Sequence, residues 1–76
     1  MKAFVENLIK ALTEHPADVR ICEVTGEKMS IFELRCHRED IGRVIGKNGN
    51  TIGAVRSLLS VFAARQGRKA VLEIVE

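Results

Sequence analysis

Seventy-six residues suffice for one small domain, which buries only about 60% of the surface its unfolded chain exposes. A hydrophobic content of 46% beside 29% charged residues describes a globular protein and excludes a disordered tail. The formal net charge is only +2, but Arg43, Lys47, Arg56, Arg65, Arg68 and Lys69 fall in a span, 41–69, that holds no Asp or Glu. Such a one-signed stretch suits a polyanionic partner, although a solvated face has the same composition. No apolar run is long enough to cross a membrane, and Glu6 and Lys10 interrupt the N-terminus before a signal-peptide core forms. The expectation is a cytoplasmic protein without membrane contact, its two cysteines reduced.

Residues 2–13 read as an amphipathic helix, with Phe4, Val5, Leu8, Ile9 and Leu12 on one stripe and Glu6, Asn7 and Lys10 opposite. Thr13-Glu14-His15-Pro16 ends it, because the residue before proline resists the α region. His15 is expected to be exposed and favoured by the helix's negative C-terminal end. Residues 19–25 and 30–37 read as strands around a turn at 26–28. In the second strand Phe32, Leu34 and Cys36 alternate with Glu33, Arg35 and His37; the first alternates less clearly, as an edge strand does. A hairpin closed at 26–28 brings residue 22 opposite 31 or 32, too far from Cys36 for a disulfide, so both cysteines are expected as buried thiols. Cys36 and His37 point to opposite faces and cannot form a nucleophile–base pair, and no metal-ligand spacing such as CxxC occurs. No metal and no cofactor is expected. Glu39 and Asp40 then stand at the positive end of the next helix.

Residues 41–53 read Ile-Gly-Arg-Val-Ile-Gly-Lys-Asn-Gly-Asn-Thr-Ile-Gly and hold four of the six glycines. Ile41, Val44 and Ile45 keep helical spacing before Gly46, and Ile52 and Val55 resume it after Gly49. The pattern predicts a short helix, a tight turn and a second helix. Gly46 suits a left-handed helix end, Gly49 a close backbone approach, and Asn48, Asn50 or Thr51 a cap for the second helix. A Gly-Lys-Asn-Gly turn opening onto a helix N-terminus offers N–H groups and one cation, which suits a phosphate diester. A plain helix–helix connection is the bland alternative. The turn is not a P-loop, because Lys47 is not followed by Ser or Thr, and its glycine spacing is not that of a dinucleotide fold.

The longest helix spans 50–66 and stops at Gly67. Ile52, Val55, Leu59, Phe62 and Ala63 form the stripe expected on the sheet. Ala54, Leu58 and Val61 lie to one side, where they either pack beneath another helix or form a partner surface. Residues 70–75 make a last strand, Leu72 and Ile74 inward and Glu73 outward.

Ile41-Gly42-x-x-Ile45-Gly46-Lys47-x-Gly49-x-Thr51-Ile52 resembles the signature of KH domains, whose GxxG loop clamps single-stranded nucleic acid. The element order is similar to that of type II KH domains, and a chain of this length with a helix ending in His-Pro resembles the KhpA family of small bacterial KH proteins. That resemblance implies an α+β fold of order α-β-β-α-α-β as a single domain, 1–76. Its mixed sheet has order 1-2-3, with strands two and three parallel through a right-handed crossover and three helices on one face. It implies single-stranded RNA held at Gly46, Lys47, Asn48 and Gly49, with Arg43 lengthening the basic rail and Val44, Ile45 and Ile52 flooring a groove. Ile41, Gly42, Asn50, Thr51 and Arg56 complete the expected contact set.

It further implies pairing with itself or with a second KH protein of the KhpB (Jag-like) kind, through Ala54, Leu58 and Val61, in RNA regulation or chaperoning. The chain departs from the family at Gly53, where a longer, often basic residue is usual; glycine weakens the helix by roughly 1 kcal/mol relative to Ala. There is no Trp or Tyr, and Phe4, Phe32 and Phe62 are all expected in the core, so weak, salt-sensitive binding follows. The alternative is a protein-interaction module that keeps the KH shape with little RNA binding. An enzyme is not expected, since no paired carboxylates, metal set or activated nucleophile is present.

Overall fold

The computed structural model of the chain describes residues 1–75. The elements are α1 (Lys2–Leu12), β1 (Arg20–Thr25), β2 (Met29–Arg35), α2 (Ile41–Ile45), α3 (Asn50–Arg65) and β3 (Lys69–Ile74), with single 3-10 turns at Pro16–Asp18, Arg38–Asp40 and Lys47–Gly49. β1 pairs antiparallel with β2, and β2 parallel with β3, giving the order β1-β2-β3. Order and directions are those expected, the two helices between β2 and β3 supplying the crossover that a parallel pair needs.

Alternation along the strands sends Ile21, Ser30, Phe32, Leu34 and Leu72 to one face, where all are buried. Val5 and Ile9, one turn apart on α1, and Val44, Val55 and Leu59 meet them from the helices. Each large side chain so buried contributes about 1.5–3 kcal/mol relative to exposure.

The connection between β1 and β2 is the expected 26–28, but the register across it is shifted by one residue. Thr25 pairs with Ser30, and Gly26 N–H donates to Met29 O at 2.7 Å. Residue 22 therefore lies opposite Glu33, and Cys22 points to the face without helices. The expectation of two buried thiols fails: Cys22 is exposed and Cys36, beyond the end of β2, is half-buried. Burial, then the charge of Asp40, pushes the Cys36 thiol pKa up, so the group stays protonated.

A second correction concerns the aromatic residues. Only Phe32 is buried; Phe4 and Phe62 are 41% and 39% exposed and pack edge to face with centroids 5.3 Å apart. Phe62 sits at the margin of the buried stripe Ile52, Val55, Leu59 and Ala63, where its ring meets Phe4 of α1.

α3 closes with a Schellman motif: Arg68 N–H donates to Ala63 O at 2.8 Å and Gly67 N–H to Ala64 O at 3.0 Å. The Arg68 guanidinium then donates to Glu27 O at 2.9 Å, Gly26 O at 3.0 Å, Met29 O at 3.1 Å and Ser30 Oγ at 2.9 Å. One basic residue of the 41–69 span is thus committed to holding the hairpin loop.

Candidate nucleic-acid interface

α2 is only five residues long and ends at Gly46, whose N–H donates to Gly42 O at 2.9 Å. Gly46 has φ +76 and ψ 173, a conformation essentially confined to glycine. A Cβ there would stand 2.6 Å from Thr51 Cβ and 2.9 Å from Thr51 N. The close approach expected at Gly49 therefore occurs at Gly46. Gly49 has open space around it and is glycine for its left-handed φ of +75. Between them Asn48 is also left-handed, at φ 56 and ψ 26, which asparagine tolerates better than most residues.

None of the expected caps is formed. Gly49 occupies the N-cap of α3, and no side chain caps its first turn. That end carries the positive pole of a 16-residue helix with only glycine beside it. Lys47 and Asn48 are exposed on the turn.

The cations around the turn are fewer than the sequence suggests. Arg43 Nη2 lies 2.8 Å from Glu14 Oε1, and its Nε 3.6 Å from Asp40 Oδ1, so acids from outside the basic span fold against it. Arg56 Nε donates to Leu72 O at 3.1 Å on β3, and its charge meets no acid among the described residues. Lys47 likewise has no ion-pair partner among them, whereas Arg65, Arg68 and Lys69 lie at the far end of α3. Lys47 and Arg56 are the uncompensated charges near the turn.

Of the apolar residues expected to floor a groove, Val44 and Ile52 are buried in the core at 0% and 5% exposure. Of that floor only Ile45 keeps a partly exposed side chain, as does Ile41 of the wider contact set. On the α1 side a shallow cleft of about 380 Å³ is lined by Leu8, Leu12, Asn50, Thr51, Ala54 and Leu58, together with buried Val55. Leu58 and Val61 are 44% and 54% exposed and Ala54 is exposed, so this set does not pack beneath another helix. Gly53, on the opposite side of α3, has no neighbour within 4 Å of where a Cβ would stand.

Sequence reasoning missed Asp40. It is 1% exposed, not a solvated acid at a helix end. Its Oδ1 accepts the Glu14 N–H at 3.0 Å and its Oδ2 the His15 N–H at 2.9 Å, with His15 Nδ1 3.1 Å from Oδ2. Burial pushes the carboxyl pKa up, but these backbone and imidazole hydrogen bonds outweigh burial and hold it below the usual range. The resulting stabilisation is present above the ordinary value of 3.8 and fades as pH falls below it. His15 is corrected with it: the helix ends at Leu12, and the imidazole is bound by Asp40 and stacked on His37 rather than free at a helix end. No local signal marks Asp40, because its partners lie 25 and 26 residues away.

An α-β-β-α-α-β chain with a mixed three-stranded sheet and a GxxG turn joining two helices is a KH domain of type II topology. Residues 2–74 match the family described as KhpA/KhpB, KH domain, and the chain belongs to that family, which is not one of enzymes. It is 46% identical over 76 residues to the RNA-binding protein KhpA of Chlamydia pneumoniae, covering 100% of this chain and 97% of that protein. Identity to the RNA-binding protein KhpA of Clostridium perfringens is 41% over 75 residues, covering 99% and 100% of the two chains. For that of Aquifex aeolicus it is 38% over 76 residues, covering 100% and 96%. Among solved structures, the fold is similar to part of Era in complex with MgGDPNP and nucleotides 1506–1542 of 16S ribosomal RNA. The TM-score is 0.57 at 23% identity, over 96% of this chain and 28% of that one.

Proposed function

We propose that the protein binds single-stranded RNA, with the sugar-phosphate backbone laid against Gly46-Lys47-Asn48-Gly49. The observation that carries this reading is the turn itself: left-handed residues at 46, 48 and 49 bring the chain onto an uncapped helix N-terminus with exposed Lys47 beside it. Bases then pass along the side of α3 that carries Gly53 and Arg56, against the partly exposed Ile41 and Ile45. Gly42, Asn50 and Thr51 shape the turn's two shoulders, and Val44 and Ile52 hold it from beneath. Arg43 acts mainly through its ion pairs. All the relatives described above are named RNA-binding proteins, which supports the same reading. With no aromatic side chain at the turn, affinity is weak and largely electrostatic. No described helix is long and apolar enough to cross a membrane, in keeping with work on RNA regulation or chaperoning in the cytoplasm.

The test is salt dependence. With three or four phosphates contacted, log affinity falls against log salt with a slope of roughly −2 to −3, and Lys47→Ala makes it shallower by about 0.7. A slope near zero would leave the KH shape serving a protein partner alone.

A partner surface is a compatible second reading, favoured by the exposed Ala54, Leu58 and Val61 beside the α1–α3 cleft. Its occupant is a second copy or a KH protein of the KhpB kind. Leu58→Lys puts a charge into that contact, and an unpaired buried charge outweighs several apolar contacts. The expected result is a folded monomer that still melts cooperatively, without the concentration dependence that pairing gives the wild type. Wild-type protein that sediments as a monomer at high micromolar concentration would remove self-pairing.

A further inference from the structure

At the end of α2 away from the glycine turn, two connections bring together three side chains that RNA binding does not use. The imidazoles of His15 and His37 stack with centroids 4.0 Å apart and planes 13° from parallel. Glu39 Oε1 lies 4.0 Å from His15 Nε2 and 3.7 Å from His37 Nδ1. One ligand atom from each of the three residues lies within 4.8 Å of the others. Behind His15 stands the buried Asp40 carboxylate, 3.1 Å from His15 Nδ1. An imidazole that donates Nδ1–H to a carboxylate keeps its lone pair on Nε2, and here Nε2 is the nitrogen facing Glu39. Metal-bound histidines are commonly oriented by such an outer carboxylate.

We propose that His15 Nε2, His37 Nδ1 and the Glu39 carboxylate bind a divalent transition-metal cation, zinc foremost, with Asp40 orienting His15 from behind. Two imidazoles and one carboxylate suit zinc, with water in the fourth position, whereas calcium and magnesium call for oxygen donors alone. Zinc holds its nitrogens at about 2.0–2.1 Å, so the three donors must draw inward. Lone pairs in two nearly parallel ring planes do not converge on one point. His37 therefore tilts out of the stack, giving up the hydrogen bond its Nδ1 accepts from Glu39 N–H at 3.1 Å. All three side chains are at least 31% exposed, which leaves them room to close on an ion. Arg43, at 3.6 Å from the inner carboxylate, opposes the added charge. The site is thus one of modest affinity that ties the α1–β1 connection to the start of α2.

The experiment titrates the full chain with zinc chloride, following heat of binding and melting temperature, and needs no RNA. One ion should bind per chain, and zinc a hundredfold above its Kd should raise the melting temperature by roughly 15 °C. EDTA should reverse the shift, and magnesium chloride should not produce it. His37→Asn and Glu39→Gln should each weaken binding about tenfold or more, while Cys22→Ser, which removes the exposed thiol, should leave it intact. Glu39 is 70% exposed, so Glu39→Gln reports even where His37→Asn perturbs the fold. Absence of saturable zinc binding overturns the proposal, and so does binding that survives Glu39→Gln or disappears with Cys22→Ser.

Discussion

Replacing Lys47 and Asn48 together by aspartate is expected to remove nearly all RNA affinity while leaving the circular dichroism spectrum and melting curve of the wild type. Both side chains are exposed on the turn, so the fold loses no packing. Aspartate, like asparagine, tolerates the left-handed conformation at position 48, where φ is 56. What changes is the field at the N-terminus of α3. The uncompensated cation disappears and two negative charges stand where phosphate oxygens would lie. Losing a single-strand phosphate contact lowers the salt slope by about 0.7, and repulsion acts in addition, so a fall of about a hundredfold at low salt is the expected scale. A folded double variant that binds RNA as well as the wild type would refute the proposed site.

Asp40→Ala is expected to have the largest effect on stability of any single polar substitution in the domain. Its carboxylate gathers two backbone N–H groups and an imidazole within 3.1 Å, in a position 1% exposed to solvent. Alanine leaves these donors without an acceptor and opens a cavity between the α1–β1 connection and α2. Arg43 loses one of its two acids at the same time. A fall in melting temperature of about 10 °C or more follows. Because α2 presents Gly46, RNA affinity should fall with it even below the new melting point. A melting curve within about 2 °C of the wild type would mean that water replaces the carboxylate without loss.

Features that depend on nearest neighbours were legible in the sequence. The helix ends at Gly46 and at Gly67 follow from glycine stereochemistry, and the 26–28 turn between β1 and β2 follows from its own residues. What was hidden depends on where distant segments meet. Asp40 reads as an ordinary helix-start acid until the backbone of Glu14 and His15 arrives above it. Arg43 reads as a free cation until Glu14 pairs with it. The basic span contains no acid in sequence, but it does not stay free of acids in space. Phe62 shares the periodicity of the buried stripe, and periodicity cannot tell which of its members end at the margin of the core. The hairpin register turned on a single residue of turn length, which decides the face to which Cys22 points.

The central strand also sets the order in which the domain can assemble. β2 finds one neighbour across a short hairpin but must wait for the other from Lys69–Ile74, with Met29 aligned to Lys69 forty positions later. Closing so long a loop costs conformational freedom before any contact repays it, and parallel pairing is slow for that reason. Until β3 docks, the inner edge of β2 is an open template of N–H and C=O groups with Phe32 and Leu34 beside it. Arg68 stands immediately before β3, and its guanidinium reaches the carbonyls of the hairpin loop just where the parallel pair begins. In the folded chain it latches the start of the last strand to the hairpin, so the edge of β2 stays covered where the parallel pair begins.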